Sequence, residues 1–378
     1  MLHVAALPFP THQGTQAALH QMLEAEIESG SDAALLTYDE GQFAIEARYP
    51  RYLAGRPLRR SQFRSGPSLT KLRQDVALGR ALHRRAEGQV VVAHHVEAAL
   101  CALLDRVPDW VFFAHTSLTS ELPGYRLWGV DRPWLWEALG GTLDGVLCKR
   151  APRVVAVVPA LVEELSASAD RPVDYVPVPW PERLLGKPVG GAREKLRIPE
   201  SVPVLGYSGN LDAYQGWEDL LEVLVLLPSA FLVVHTASDT CPLLERAVSG
   251  GVGTRVRVLP MKGEGTRKQW AAVTDVALVP RRLPGGVPIK LLDALARGLP
   301  VATVPRATGG LPLRHVVEVA ADDSAVALAA AARKALRRPH EPEAGRAYLR
   351  KGHSATAFSE ALWGGESMRR PIEFSTQC

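Results

Sequence analysis

The sequence predicts an α/β protein of two Rossmann-like domains whose parallel sheets face a central cleft. Three observations carry that expectation. Apolar runs of strand length alternate with helical stretches along the 378 residues, the pattern of doubly wound sheets. The order strand, glycine loop, helix begins twice, at LHVAALPFPTHQGTQ near the start and at VPVLGYSGNLDAYQG from Val202. Between them lie five prolines from Pro177 to Pro199, a composition suited to a hinge. The implied boundaries are 1–176 for the first domain, 177–200 for the hinge and 201–345 for the second domain. Residues 346–363 are C-terminal helices returning toward the first domain, and 364–378 form a tail without periodicity.

Taken in order, LHVAALPFP is the first strand. It runs into a loop holding Gly14, where the missing Cβ lets a ligand approach the backbone or simply permits a tight turn, and a helix follows. DAALLTY is the second strand. Residues 56–85 carry nine Lys or Arg (Arg56, Arg59, Arg60, Arg64, Lys71, Arg73, Arg80, Arg84, Arg85) against Asp75 alone. Within them LTKLRQDVALGRALHRRA reads as a basic amphipathic helix, suited to an anionic membrane surface or an acidic substrate; a solvated surface helix is the plainer reading. Arg64, Lys71 and Arg73 are its candidate acceptor- or membrane-facing residues.

QVVVAHHVEAALCALL is a strand entering a helix, with His94 and His95 at the junction. Neighbours on a strand point to opposite faces, so the pair is a poor metal site and at most one faces a cleft. WVFFAHTSLTSELPGY repeats the form: a buried strand, His115 at its end, then a Ser/Thr-rich loop. A polar residue ending a parallel strand lies at the ligand edge of such sheets. A histidine that only caps the loop is the alternative. RVVAVVPALVEELSASA adds a strand and helix, and AREKLRI a short charged helix. AFLVVHT, RVRVLPM and VALVP are strands of the second half. SAVALAAAARKAL and the stretch 344–363 end the chain in helices.

Composition narrows the class. At 47% hydrophobic and 22% charged the chain is globular, and a formal charge of +4 gives no ground for a nucleic-acid partner. Cys101, Cys148, Cys241 and Cys378 stand apart and read as reduced thiols of a cytoplasmic protein. No apolar run approaches the roughly 18 residues of a spanning helix. MLHVAALPFP lacks the basic start and long apolar centre of a signal peptide.

Residues 278–310, LVPRRLPGGVPIKLLDALARGLPVATVPRATGG, are the strongest local signal. The strand Val276 to Val279 ends at Pro280, and a basic glycine-rich loop runs from Arg281 to Gly286. Pro288 suits the first turn of a helix, and Gly298 its C′ position. Lys290, Asp293 and Arg297 share a stripe at i, i+3, i+7. Loop and helix end make an anion seat with a cation and a carboxylate beside it; an ordinary Rossmann-like unit with solvated charges is the bland alternative.

These segments, by their order and spacing over roughly residues 1–363, resemble the retaining family-4 glycosyltransferases of the GT-B fold. PFPTHQGTQ (8–16) is similar to that family's opening loop. VVVAHHVEAAL and FFAHTSLTSELPGY are similar to its second-strand and histidine-loop segments, and GYSGNLDAYQGWEDLLEV to the start of its donor domain. GGVPIKLLDALARGLPVATV resembles its most recognisable block.

The resemblance implies transfer of a sugar, with retention, from a nucleotide-diphosphate donor to a glycan, lipid-linked or other cell-envelope acceptor. The donor then lies mainly on the second domain and the acceptor on the first. No metal or cofactor is required if protein cations stabilise the leaving phosphate. In those terms Asp293 holds the ribose and Lys290 the phosphates, with Arg281 beside it, while Gly14 and Gly286 admit the donor closely. His115 is the candidate at the reacting centre, positioning acceptor or transferring sugar; in front-face retention the donor's phosphate oxygen takes the acceptor proton.

Two departures stand out. The family's Arg and Lys of the first donor-domain loop match Asn210 and Gln215, and its paired glutamates match Gly285 and Asp293. Lys290 and the helix end must then hold more of the phosphate charge. A sugar-nucleotide or glycan-binding relative without turnover, and a sugar-nucleotide epimerase of the same plan, stay open. The expected setting is cytoplasmic, peripheral on the inner face of the membrane.

Overall fold

The computed structural model describes residues 1–11, 13–38, 41, 45–55, 69–124, 132–181, 191–283, 286–339 and 341–364. Its strands form two parallel sheets. The first contains β1 (Leu2–Ala5), β2 (Ala34–Thr37), β3 (Arg51–Leu53), β4 (Val91–His94), β5 (Trp110–Ala114), β6 (Arg153–Ala156) and β7 (Asp174–Tyr175), in the order β3-β2-β1-β4-β5-β6-β7. The second contains β8 (Val204–Ser208), β9 (Phe231–Thr236), β10 (Val256–Pro260), β11 (Val276–Val279), β12 (Val301–Thr303) and β13 (Glu318–Val319), in the order β10-β9-β8-β11-β12-β13. The runs VVAH, WVFFA and VALV are buried throughout, as strands covered by helices on both faces must be.

Each sheet reverses its strand order once, between β1 and β4 in the first and between β8 and β11 in the second. Loops leaving neighbouring strands at such a point turn to opposite faces, and ligands bind in the crevice they open. At these points stand Gly14 and His95, each the first residue of a helix, and the stretches Gly209 to Gln215 and Arg281 to Leu283. Topology alone thus brings the sequence's anion seat to a switch point.

Among the described residues, five α-helices belong to the first sheet before β6. α1 (Gly14–Glu28) buries Leu19, Met22 and Leu23. α2 (Leu69–His83) lies against α3 (His95–Leu104), which follows β4 directly. After β5 the Ser/Thr-rich stretch is not a loop but the short helix α4 (Leu118–Glu121). Ser117 caps it by accepting from the Ser120 N–H at 3.1 Å. The sequence reading does not single out α5 (Pro133–Arg150), a helix of 18 residues. Its Gly140 allows α4 to approach, since a Cβ there would stand 2.5 Å from the Leu118 carbonyl carbon. Buried Asp144 accepts from the Leu118 and Thr119 backbone N–H groups at 3.2 and 2.9 Å, holding the two helices together.

α6 (Pro159–Ala169) and α7 (Ala192–Lys195) lead to the second sheet, which α8 (Trp217–Leu226), α9 (Cys241–Ser249), α10 (Glu264–Val273), α11 (Ile289–Ala296) and α12 (Ala325–Arg337) cover. The chain closes with α13 (Pro342–Gly352), packed on α11, and α14 (Ala355–Trp363), packed on α1. Val178 and Trp180 are buried, and His353 binds both through Nδ1 to the Val178 carbonyl and its own carbonyl to the Trp180 N–H, each at 2.7 Å. Among the described residues no helix is long and apolar enough to cross a membrane.

Candidate active site

The second domain's edge is organised by α11. Pro288 is its N-cap rather than its first helical residue, and Gly298 at φ +70° follows its C-cap Arg297. Its first turn closes on itself, Ile289 N–H binding the Val287 carbonyl at 2.8 Å and Leu291 and Leu292 N–H the Pro288 carbonyl at 2.8 and 3.1 Å, and the helix end contributes about half a positive charge. Lys290 lies back over the first loop. Its Nζ donates to Tyr207 Oη at 2.7 Å and to Gln215 Oε1, and stands 4.6 Å from the Tyr207 ring centroid. Gly209 makes room for it: a Cβ there would lie 2.1 Å from Lys290 Cε, and its φ of +153° disfavours a side chain. Burial, and then the Arg281 charge, hold the Lys290 pKa well below the ordinary lysine value, with Asp212 opposing.

Gln215 matches a position where the resembled family carries a cation. Here the ammonium of Lys290 reaches that side chain from α11, so the charge stands near the expected place on a different element. Asn210 is neutral and engaged locally, its Nδ2 donating to Asp212 Oδ2 at 2.6 Å while its carbonyl accepts from Tyr207 Oη at 2.5 Å.

Arg281 and Arg282 part company. Arg282 bonds Asp219 through Nε at 3.1 Å and Nη2 at 2.6 Å, anchoring its loop to α8. Arg281 turns to the cleft: its Nη2 is 3.1 Å from where a Gly286 Cβ would be, and its buried Nε has no hydrogen-bond partner. Gly286, at φ +70°, also brings this loop within 3.2 Å of the His115 carbonyl oxygen, measured from the same Cβ position. Across the cleft, a Cβ on Gly14 would sit 3.6 Å from Ile289 Cγ1. The N-termini of α1 and α11 therefore face each other.

The predicted stripe on α11 is not a solvated face. Arg297 is fully buried and Asp293 nearly so. Arg297 donates to Asp293 from Nε at 3.1 Å and Nη2 at 3.4 Å, and to Glu264 from Nη1 and Nη2 at 2.9 and 3.0 Å. Arg267 Nη1 lies 3.8 Å from Asp293 Oδ2. Two bidentate carboxylates make this arginine affordable in the interior. Gly285, the other position matching the family's carboxylates, lies outside the described residues.

The first domain's edge has another character. His115, 5% exposed, follows β5, and His95 stacks on it with ring centroids 4.6 Å apart. His94, at the end of β4, is fully buried behind them. Burial pushes the pKa of His94 and His115 well below the usual histidine value and that of His95 to about 4, so all three are neutral near pH 7. Beside them Glu97 is paired with Lys71, while burial raises Glu121 against the hydrogen bond it takes from Thr116. Lys71 thus points toward the histidines, Arg73 is exposed on α2, and Arg64 lies outside the described residues. The sequence alone does not mark Glu97, Glu121 and Tyr207 as site residues. Glu97 two positions after His95, on the first turn of its helix, was the available signal. Among the described residues no group of His, Cys, Asp or Glu is arranged to hold a metal ion.

Comparison with known proteins agrees with this architecture. Residues 202–338 match the family described as "Glycosyl transferases group 1". No curated protein sequence matches the chain significantly. Among solved structures, sucrose-phosphate synthase from Thermosynechococcus elongatus superposes with a TM-score of 0.74 at 18% identity, covering 96% of each chain. WaaG, a glycosyltransferase involved in lipopolysaccharide biosynthesis, gives 0.68 at 16% identity over 98% of this chain and 100% of its own. Alr3699/HepE of Anabaena, in complex with UDP and glucose, gives 0.69 at 13% identity over 96% of this chain and 97% of its own. The chain has the GT-B fold of glycosyltransferases, and its second domain carries the group 1 family match.

Proposed function

We propose that the protein is a retaining glycosyltransferase of the family-4 type, moving a sugar from a nucleotide-diphosphate donor to a glycan, lipid-linked or other cell-envelope acceptor. The observation that carries this reading is the pair Lys290 and Arg281. Two cations meet at the N-terminus of α11, close enough for one to depress the other's pKa, and Arg281 Nε is buried without a partner. An anion of two charges relieves that arrangement, and the positive end of α1 lies opposite. The leaving diphosphate is then stabilised by protein cations and helix ends, without a metal or cofactor.

Asp293 takes the ribose through its carboxylate, and Gly14 and Gly286 let the donor approach the backbone. His115 hydrogen-bonds the transferring sugar or the acceptor. Alr3699/HepE, whose structures hold UDP, UDP and glucose, or UDP-glucose, supports a uridine donor as the first to try. Isothermal calorimetry against uridine, adenosine and guanosine diphosphates and their sugars tests the reading. One of them is expected to bind, and Lys290→Ala to weaken that binding at least about tenfold. If none binds the intact protein, the reading fails. Incubation with donor alone separates an epimerase, which needs no acceptor.

The acceptor side supports a membrane-proximal setting. On α2, Leu72 (59% exposed) and Val76 (49% exposed) lie one turn apart, with exposed Arg73 and Arg80 on the same helix. Such a mixture suits the headgroup region of an anionic bilayer. In liposome flotation, recovery is expected only with acidic lipid; equal recovery without it would remove the docking role.

A further inference from the structure

Three histidines far apart in sequence form one hydrogen-bonded line through the first sheet. The strand register aligns Ala5 with His94 and His94 with Phe113. Residues two apart on a strand share a face, so His3, His94 and His115 all project from the same side, stepping diagonally toward the ligand edge. The side chains complete what the backbone sets up. His115 Nε2 lies 2.9 Å from His94 Nδ1, and His94 Nε2 lies 2.8 Å from His3 Nδ1. His3 Nε2 and Glu26 Oε2, buried and with no other hydrogen-bond partner, face each other at 3.3 Å. Glu26, fully buried on α1, also accepts from Trp363 Nε1 of α14 at 3.3 Å.

We propose that Glu26 is a positioning residue: through His3 and His94 it fixes the tautomer of His115, so that His115 presents the Nδ1 lone pair to a substrate hydroxyl. The inference rests on the glycosyltransferase reading only for what that lone pair is used for.

The logic follows from the donor inventory. A carboxylate only accepts, and a neutral imidazole has one N–H and one lone pair. Glu26 therefore calls for the hydrogen on His3 Nε2, which leaves His3 Nδ1 as an acceptor. His94 must donate to it from Nε2, and then accepts at Nδ1 from His115 Nε2–H. His115 Nδ1, the ring nitrogen outside the line, is left unprotonated. Phe113 packs against both His94 and His115, at centroid separations of 4.9 and 5.3 Å, and such apolar surroundings keep the intermediate rings neutral. A carboxylate fixing a histidine's tautomer from behind is a general device; here it acts through two further rings. With a second hydrogen, on His3 Nδ1, both ring-to-ring bonds would reverse while the bond to Glu26 stayed, and His115 Nδ1 would become a donor.

The test is a two-bond ¹H–¹⁵N correlation spectrum of the full chain labelled at histidine, recorded in mildly alkaline buffer without ligand. The His115 signals are assigned by their loss in His115→Gln. The hydrogen is expected on Nε2. In Glu26→Gln, whose amide can donate as well as accept, His115 is expected to move to the Nδ1–H form or a mixture. Turnover should fall about tenfold, the worth of one hydrogen bond, with the donor KM unchanged. Trp363→Phe keeps the carboxylate and should keep the tautomer. A wild-type His115 carrying its hydrogen on Nδ1 overturns the proposal, even if Glu26→Gln fails to fold. So does an unchanged tautomer in Glu26→Gln, or a changed one in Trp363→Phe. These spectra need no nucleotide, so their failure is separate from failure of nucleotide binding in calorimetry.

Discussion

The two edges of the cleft answer different chemical demands. The second domain offers charge: Lys290 and Arg281 at the start of α11, held close enough to repel. The first offers neutral rings and carboxylates: His95 stacked on His115, Glu97 already paired with Lys71, and Glu121 raised by burial. A diphosphate suits the charged surface and sugar hydroxyls the neutral one.

The sharpest way to break this comparison is to remove one group from each edge. A charge-assisted hydrogen bond contributes about 1.5–3 kcal/mol, so Lys290→Ala should weaken nucleoside-diphosphate binding roughly 10- to 150-fold by calorimetry. His115→Ala should leave that affinity within error and lower turnover instead. Equal losses of affinity in both would mean that the donor spans the edges evenly. Gly209→Val tests how Lys290 is held. Any Cβ there collides with the lysine stem, so the ammonium must leave Tyr207 and Gln215. The expected loss of affinity is smaller than for Lys290→Ala, about tenfold, because a displaced lysine still carries its charge. Unchanged binding would show that the ammonium's seat on the first loop does not matter.

What the sequence disclosed follows the same division. The second edge is local: strand Val276–Val279, the glycine loop, Lys290 and Gly298 lie within one short stretch, where apolar periodicity and cap residues can be read directly. The first edge is not. His3, His94 and His115 meet only because β1, β4 and β5 are neighbours in the sheet, and no spacing along the chain reports that order. Arg297 misleads for another reason. Its stripe with Lys290 leaves a solvated face open as the bland alternative, whereas Glu264, from a separate helix, supplies the second carboxylate that lets it be buried. α5 escapes because paired glycines and buried Asp144 blur its pattern; the tertiary contact with α4 that explains both residues is invisible in one dimension. Exposed β3 has no apolar run at all.

The smallest expected effect is also the most discriminating, because one residue should move two observables in opposite directions. Lys290 has a folded-state pKa below its unfolded value, so between the two the unfolded chain holds more protons. Stability therefore rises with pH across that window, as the buried charge is relieved. Diphosphate binding has the reverse sign. A bound anion favours the protonated amine, so affinity is greatest below the free protein's lysine pKa and falls as pH rises through it, with proton uptake on binding in the window. Calorimetry in buffers of different ionisation enthalpy measures that uptake. Lys290→Met removes both effects: the apolar chain fills the same channel past Gly209, and replacing a buried charge in this way is commonly neutral or stabilising by about 1 kcal/mol or more. A melting temperature at or above wild type, together with lost binding, would show that the site holds its cation at a cost to the fold. A lower melting temperature in Lys290→Met would mean that the bonds to Tyr207 and Gln215 outweigh the burial of the charge, making the lysine a structural clamp before it is a phosphate ligand.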